Sequence, residues 1–267
     1  MSNQLPQINV LIASYNYEEW VCGAIHSALQ QTYPNIAITV VDSNSSDNSW
    51  KNIHDEFFAG KPHERVYPSN YDIKRTIVNG KTPLLAIKLD NAKGPSFARN
   101  VGIEYTLDPD NPNNPFGYVI LDADDEMKPN KVDRMFREMS QLPNLIGVIY
   151  GDYDILNIET NTLQREHKET FSRDRILQNC IVHSGSLIST KALLAVKDEN
   201  GYYDNKLMVA EDWDLWIRIS SKFMILHVPE SLSLVRTSRR NTTHSVPSSV
   251  WQESWQRVYD KSHGVIK

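Results

Sequence analysis

Short runs of apolar residues alternate with segments of helical periodicity in the first half of the chain. The apolar runs lie at residues 8–13, 36–41, 84–89 and 117–121, and each precedes a stretch whose apolar side chains recur every three or four residues. Parallel strands that are buried on both faces have continuous apolar sequences, and helices that follow them cover the sheet. The pattern predicts an α/β fold with a Rossmann-like, mixed but mostly parallel sheet flanked by helices on both faces.

The second half of the chain is less regular. The pattern predicts strands at 145–150, 185–190, 223–229 and 231–237, and helices near 172–180, 190–197, 211–221 and 248–260. Because no Gly/Ser-rich linker separates the halves, we expect one domain over residues 1–246, with halves 1–125 and 126–246, followed by a helical tail, 247–267. Two polar insertions, 60–83 and 108–115, are expected to be surface loops.

Polar residues gather where the predicted strands of the first half end. The clusters lie at residues 14–16, 42–47, 91–100 and 122–125. In an open parallel sheet the ligand binds beyond the carboxyl ends of the strands, so all four clusters would meet at one edge. Each cluster alone could also be a turn or a helix cap. Their expected convergence favours a binding site.

The acidic run Asp122, Asp124 and Asp125 is difficult to explain structurally, because three carboxylates at one strand end repel one another. A hard divalent cation would compensate them, and oxygen ligands favour Mg²⁺ or Mn²⁺ over zinc. An EF-hand is a rival interpretation, because Asp122, Asp124 and Glu126 match its first three ligand positions, but it is disfavoured because Met127 stands where that loop needs glycine and Asp133 where it needs glutamate. P-loop, GxGxxG and GxSxG motifs are absent as well.

A second acidic cluster, Glu211, Asp212 and Asp214, opens the predicted helix EDWDLWIRIS. Acidic residues in the first turn stabilise a helix through its dipole, which is the structural alternative to a catalytic role. Downstream, residues 236–245 form a basic, hydroxyl-rich stretch that contains His244, for which a solvated loop is the alternative.

Composition limits the partners and the setting of the chain. With 28 Lys and Arg against 33 Asp and Glu, the net charge of −5 gives no basic footprint for nucleic acid over the whole chain, although Arg236, Arg239 and Arg240 leave a local patch open. The two cysteines, Cys22 and Cys180, form neither a disulfide framework nor a zinc site. Because no signal peptide or transmembrane segment is recognisable, we expect a cytoplasmic protein and leave peripheral membrane attachment open.

Five ordered motifs resemble those of family-two glycosyltransferases with the GT-A fold, over residues 7–245. The motifs are NVLIASYN, ALQQTYPNIAITVVDSNSSDNS, NAKGPSFARNVGI, LDADDEMKPNKV and EDWDLWIRIS. Ala13-Ser14 stands where the family usually has Pro-Thr, and Ser43-Asn44 where it has Asp-Gly.

The resemblance implies an inverting transferase that uses a nucleoside diphosphate sugar, with a UDP-sugar favoured, and Mn²⁺ or Mg²⁺. It assigns donor binding to residues 1–125 and acceptor binding to 126–246. The residues implied to contact the donor are Ala13, Tyr15, Asn16, Asp42, Lys93, Arg99, Asp122, Arg239 and Arg240. The implied metal ligands are Asp124 and Asp122, which resemble a DxD pair, and His244. The implied catalytic residues are Asp212, as the general base, and Glu211.

Other functions and partners stay open at this point. A noncatalytic sugar-nucleotide-binding or scaffold protein of the same fold is the alternative, whereas a nucleotidyltransferase would need a Gly/Arg-rich loop that is missing after the first strand. The acceptor could be a saccharide, a lipid-linked saccharide or another hydroxyl compound, and a nucleic acid is open but disfavoured by the net charge. Trp251, Trp255 and Val258 share one face of the tail helix, which predicts packing on the body or on a second subunit in a homodimer.

Overall fold

A computed structural model describes residues 5–65, 71–108, 114–238, 241 and 245–265. In these residues one eleven-stranded sheet forms, with the strand order β3-β4-β5-β2-β1-β6-β10-β8-β11-β7 and β9 paired to β8. The strands are β1 (Ile8–Ser14), β2 (Ile36–Asp42), β3 (Glu64–Arg65), β4 (Asp72–Val78), β5 (Thr82–Lys88), β6 (Gly117–Asp122), β7 (Glu126–Met127), β8 (Ile146–Asn157), β9 (Thr162–Glu166), β10 (Leu187–Ser189) and β11 (Met224–Thr237). The helices are α1 (Val21–Leu29), α2 (Ser49–Phe57), α3 (Gly94–Thr106), α4 (Lys131–Met139), α5 (Arg173–Ile176), α6 (Thr190–Val196), α7 (Glu211–Ser220) and α8 (Ser248–Ser262).

The centre of the sheet is parallel, as the continuous apolar runs predict. Strands β5, β2, β1 and β6 are parallel neighbours, and all seven residues of β2 are buried. Antiparallel pairs add to this centre on both sides, through β4 against β5 and β10 against β6. The predicted mixed, mostly parallel sheet is therefore confirmed.

Helices cover both faces of the sheet and bury one hydrophobic cluster on each. Leu11, Val101 and Trp216 belong to the cluster under α3, α6, α7 and α8. Ile12 and Ile25 belong to the opposite cluster, under α1, α2 and α4. Successive residues of β1 thus point to opposite faces, and a helix layer closes over each. This arrangement holds the strand ends in fixed relative positions.

The described residues of the stretch 60–83 are mostly strand rather than surface loop, which corrects the sequence-based expectation. They contain β3 and β4, and β4 pairs antiparallel with β5. Asn79 and Gly80 take φ of 54° and 69°, and the Lys81 amide donates to the Val78 carbonyl at 3.2 Å. An Asn-Gly dipeptide between apolar runs is a strong hairpin signal, because both residues accept positive φ. That signal was present in the sequence and was overlooked.

Other boundaries also differ from the prediction. The strands predicted at 223–229 and 231–237 are one strand, β11, whose register shifts near Ser231 as it pairs with β8. The strand predicted at 185–190 is only the three residues of β10, and the helix predicted near 172–180 is the single turn α5. Of the predicted 108–115 loop, residues 109–113 lie outside the described part of the chain.

The tail helix α8 packs on the body of the domain. Val258 is buried in the same cluster as Trp216, whereas Trp255 is half-exposed. Lys261 Nζ lies 2.9 Å from carboxylate oxygens of both Asp204 and Asp214, which are buried. These contacts attach α8 to α7 and to the loop before it. In the described part of the chain, no helix has the length and apolar character needed to cross a bilayer.

Candidate functional site

Three neighbouring strands end at one edge of the sheet and bring their polar residues together. Ser14 pairs with Asp42 at the ends of β1 and β2, and Ala13 pairs with Asp122 at the end of β6. Parallel pairing places these carboxyl ends side by side, as the topology requires. The edge carries Tyr15, which is half-exposed, and the partly buried Ala13.

The loop after β2 is held by its own polar side chains. Asp42 is fully buried, and its two carboxylate oxygens accept hydrogen bonds from the Ser45 amide, at 2.9 Å, and the Ser45 hydroxyl, at 2.5 Å. Burial raises the pKa of Asp42. Asn16 and Asn44 both take φ of 60°, and the Ser46 amide donates to Asn16 Oδ1 at 2.8 Å. Asp42 therefore shapes this loop at the strand edge.

Lys93 lies on the same edge, between β5 and α3. Its amide donates to Ser43 Oγ at 3.4 Å, and its exposed ammonium lies 4.4 Å from the centre of the Phe97 ring. The ammonium is therefore exposed at this edge and lies against the Phe97 ring.

The loop after β6 concentrates negative charge in a confined space. Burial and the nearby Asp122 carboxylate raise the pKa of Asp124 to about 6. Asn241 Nδ2 donates to Asp124 Oδ2 at 2.8 Å, and the Tyr17 hydroxyl also hydrogen-bonds to Asp124. The Arg236 amide donates to Asp125 Oδ1 at 2.9 Å. The end of β11 and Asn241, which follows it, are thus tied to the acidic loop.

Arg236 is used inside this cluster. Its guanidinium donates to the Asp124 carbonyl at 2.9 Å, forms an ion pair with Glu126 and stacks 4.7 Å from the Trp20 ring centre. The sequence had left Arg236 open as part of a basic patch for an acceptor. In the structure its guanidinium instead bonds to the acidic loop.

Arg99 joins the acidic loop to the start of α7. It is buried, and its guanidinium donates to Asp122 Oδ1 at 2.8 Å and forms an ion pair with Glu211. Burial alone would raise the pKa of Asp122, but the Arg99 charge and neighbouring groups outweigh this and lower it. The resemblance had placed Arg99 near the base or phosphates of a donor; the structure places its guanidinium between two carboxylates.

Asp212 lies in the first turn of α7, next to Glu211. Ala210 precedes the helix with φ of 60°, which turns the chain sharply into it. Burial and the Glu211 carboxylate raise the pKa of Asp212 to about 7. Its Oδ1 accepts a hydrogen bond from the neighbouring Trp213 amide at 2.8 Å, and its Oδ2 accepts a weak one from the Cys180 thiol at 4.0 Å. A carboxyl group with a pKa near neutrality and few strong donors can accept a proton.

Two buried groups behind the acidic loop were missed by the sequence-based reasoning. Lys131 is buried at the start of α4, where its Nζ donates to Ser233 Oγ at 2.8 Å. Burial lowers the pKa of Lys131 to about 8, although Asp125 and Asp122 act in the opposite direction. Burial and the Lys131 charge also lower the pKa of His183, so its imidazole is neutral. Lys131 lies on the buried face of α4 together with Val132 and Met135. A lysine within that apolar pattern is the feature of the sequence that indicates a buried charge.

The donor set of the acidic loop suits a divalent cation. In the part of the chain that the structure describes, no three His, Cys, Asp or Glu side chains are placed to hold a metal together. Asp122 and Asp124 do come together, and both offer oxygen ligands, which Mg²⁺ and Mn²⁺ prefer. Burial and, after it, the Asp122 carboxylate raise the pKa of Asp124, and such a cation would relieve the repulsion between the two carboxylates. The predicted residues Arg239, Arg240 and His244 lie outside the described residues.

The chain matches known proteins along most of its length. Residues 9–196 match the family described as Glycosyl transferase family 2. The chain is 26% identical over 214 residues to the Escherichia coli protein UDP-Glc:alpha-D-GlcNAc-diphosphoundecaprenol beta-1,3-glucosyltransferase WfgD, covering 79% of this chain and 69% of that one. It spans only 31% to 35% of the length of the glycosyltransferases of Rickettsia felis, Rickettsia bellii and Rickettsia conorii that it also matches.

Two solved structures are similar in fold. The S. aureus TarS fragment 1-349 in complex with UDP superposes with a TM-score of 0.64 at 16% identity, covering 96% of this chain and 65% of that one. The mannosyltransferase PcManGT from Pyrobaculum calidifontis, in complex with GDP-Man and Mn²⁺, gives a TM-score of 0.61 at 14% identity and covers 90% of this chain and 59% of that one. At these identities the similarity concerns the fold alone.

Proposed function

The chain belongs to glycosyl transferase family 2 and has the GT-A fold, and from this premise we propose that it transfers a sugar from a nucleoside diphosphate sugar to an acceptor hydroxyl with inversion. Asp212 would be the general base, and Asp124 with Asp122 would hold Mn²⁺ or Mg²⁺. One observation carries the proposal. Arg99 forms ion pairs with Asp122, at the end of β6, and with Glu211, whose neighbour in the chain is Asp212, the carboxyl group of raised pKa. Proton acceptor and anion-binding edge thus belong to one connected unit.

The proposed reaction needs a proton acceptor on one side of the sugar and stabilised charge on the other. The acceptor hydroxyl gives its proton to an Asp212 oxygen while its own oxygen bonds to the anomeric carbon. The bond from that carbon to the diphosphate oxygen breaks, and the electron pair leaves with the nucleoside diphosphate. Direct displacement of this kind inverts the anomeric carbon. A divalent cation, when bound, neutralises the charge that develops on the diphosphate.

The remaining edge residues would orient the donor. Tyr15 offers a half-exposed ring on which a base can stack, and Asp42 holds the loop beside it. Lys93 would meet the phosphates as an exposed point charge. We assign Arg99 and Glu211 a positioning role, because their charged groups satisfy each other.

The comparisons support a UDP-sugar but leave the sugar open. WfgD is named for UDP-Glc and a diphosphoundecaprenol-linked acceptor, and TarS was solved with UDP. PcManGT was solved with GDP-Man, so the fold also accepts guanine nucleotides in that protein. We therefore propose a UDP-sugar donor and a saccharide acceptor, with a lipid-linked saccharide as one form of it.

A donor panel tests this proposal most directly. Purified protein is incubated with UDP- and GDP-sugars, with and without Mn²⁺, and release of the nucleoside diphosphate is followed, with an acceptor screen afterwards. We expect release from at least one UDP-sugar and a product whose anomeric configuration, read by NMR, is opposite to that of the donor. Donor binding without release or transfer under any condition would instead support a noncatalytic sugar-nucleotide-binding protein.

Substitution of Asp124 tests the cation site. We expect Mn²⁺ to lower the dissociation constant for UDP in the wild-type protein. In Asp124→Asn this effect of Mn²⁺ should be at least about tenfold smaller, because a charged oxygen ligand is lost. Titration calorimetry with UDP, with and without Mn²⁺, measures both. Asp55→Asn, an exposed carboxylate of α2, is the matched control and should keep the full effect of Mn²⁺. Equal enhancement in Asp124→Asn and the control would contradict the assignment.

The pH dependence of turnover tests the state of Asp212. A general base must be ionised, so a carboxyl group with a pKa of about 7 is increasingly inactive as the pH falls below that value. We expect kcat/KM to fall about tenfold per pH unit on the acidic side and to level off above about pH 7. A profile that is flat from about pH 5 to pH 8 would exclude Asp212 as the group that limits the rate.

A further inference from the structure

A cleft of about 420 Å³ opens beside α3. It lies between that helix and the loop formed by residues 197–205, which continues toward Asp212. None of the residues that we assign to the donor, the cation or proton transfer lines it. The cleft is therefore separate from the proposed donor and cation sites.

The walls of the cleft combine three aromatic rings. Tyr71 and Tyr105 meet edge to face, with ring centres 6.3 Å apart, and Phe97 lies on the same wall. Aromatic rings offer flat apolar surfaces, and tyrosine adds a polar tip. A pyranose ring presents C–H groups on its faces and hydroxyls at its rim, which matches such a wall.

The polar part of the lining is acidic and amide-rich. Glu104 pairs with Lys197 at 3.4 Å, Asp198 lies 3.8 Å from Lys261 Nζ, and Glu199 is exposed. Asn200 is only 7% exposed, and its side-chain nitrogen has no hydrogen-bond partner among the described residues. Carboxylate and amide groups bond to hydroxyls, whereas the lysines at this lining are already paired with carboxylates, which disfavours phosphates and nucleotides. The lining thus suits an uncharged polyhydroxyl ligand.

The cleft also lies within reach of the proposed catalytic edge. Phe97, on its wall, contacts the ammonium of Lys93 at the strand edge. From Phe97 to Glu104 the helix advances about 10 Å, at roughly 1.5 Å per residue, which is comparable to the length of a disaccharide. Arg99 of α3 pairs with Glu211, the neighbour of Asp212, so a saccharide chain whose end is at Asp212 has a path along α3.

We propose that this cleft is a saccharide-binding subsite that holds an uncharged sugar unit of the acceptor, remote from the reacting hydroxyl. The inference rests on the proposed glycosyltransferase function. Tyr71 and Phe97 stack on the sugar faces, and Glu199 and Asn200 bond to its hydroxyls.

Binding of neutral oligosaccharides to the whole chain tests this subsite. The probes are malto-, cello- and chito-oligosaccharides, titrated into ¹⁵N-labelled protein that is saturated with UDP and Mn²⁺. We expect at least one series to shift the resonances of residues 199–201. Tyr71→Ala should weaken its binding about tenfold, as the loss of an aromatic contact of roughly 1.4 kcal/mol predicts. Glu199→Gln, at an exposed position, should weaken binding about threefold without disturbing the fold.

The controls separate this proposal from the catalytic one. Glu253→Gln removes an exposed carboxylate of α8 and should leave oligosaccharide binding unchanged. UDP affinity should be equal in all three variants, and Tyr71→Ala should raise the acceptor KM while kcat stays constant. The subsite would be overturned if no oligosaccharide series shifted the resonances of residues 199–201. It would also be overturned if Tyr71→Ala and Glu199→Gln both bound the oligosaccharide as tightly as wild type. Saccharide binding at the cleft without any sugar transfer would overturn the proposed function and leave the subsite standing.

Discussion

Asp212→Asn is expected to lower kcat by about 10²- to 10⁴-fold, which is the usual contribution of a positioned general base. The amide keeps the size of the side chain and its hydrogen bond from the Trp213 amide, but it cannot accept the acceptor proton. Because Asp212 contributes nothing to the proposed donor contacts, the dissociation constant for UDP should stay within about twofold of wild type. Steady-state kinetics and calorimetry with UDP measure the two quantities separately.

A helix-dipole role for Asp212 makes the opposite prediction. Acidic residues in a first helical turn contribute about 0.3–1 kcal/mol to stability, so the substitution would lower the free energy of unfolding and leave kcat intact. Asp133→Asn is the control, because Asp133 also lies in a first turn, that of α4, on the other side of the sheet; it also pairs with Arg137 at 2.8 Å, so its stability loss is an upper limit for the helix-dipole contribution. Near-normal turnover of Asp212→Asn, with a stability loss like that of Asp133→Asn, would remove Asp212 from the mechanism.

Arg99→Met is expected to destabilise the fold by about 3–5 kcal/mol, the usual cost of removing one partner from a buried ion pair. The methionine fills much of the space, but Asp122 and Glu211 then lose the charge that compensates them. Urea denaturation at about pH 7 measures the free energy of unfolding. Arg99→Lys, which keeps the charge but cannot form both paired contacts, should give an intermediate loss and remain folded.

Lys51→Met is the control for this measurement. Lys51 pairs with Asp55 at 2.6 Å on the surface of α2, where the two side chains are 69% and 51% exposed. Exposed pairs of this kind contribute at most about 1 kcal/mol. If Arg99→Met were no more destabilising than Lys51→Met, Arg99 would not be the residue that connects the acidic loop to α7.

The parallel centre of the sheet was predictable because its signal is local. Strands β1, β2, β5 and β6 are buried on both faces, so their sequences are continuous apolar runs that need no tertiary information to recognise. The edge hairpin was not recognised, because β4 alternates exposed and buried residues and lies within a polar stretch. Its Asn79-Gly80 turn is a local hairpin signal, but the polar composition of residues 60–83 is also typical of a loop.

The residues of the candidate site were predictable to a different extent. The positions of Asp122 and Asp124 follow from where β6 ends, and that of Asp212 from where α7 begins. The periodicity of apolar residues indicates both boundaries. The orientation of Arg99 does not, because its partner Glu211 lies 112 residues away in the chain. Likewise, the position of Lys131 beneath the acidic loop depends on the packing of α4 against β11.

The sequence by itself determined the layered α/β fold, the edge at which polar residues meet and the family to which the chain belongs, because these depend on local periodicity and on the order of motifs. Only the tertiary structure decided which charges neutralise one another: Arg99 with Asp122 and Glu211, and Arg236 with the acidic loop. It also revealed the aromatic and acidic cleft along α3. The physical reason is that electrostatic pairing and cavity shape depend on distances between side chains that are far apart in sequence, and periodicity carries no information about them.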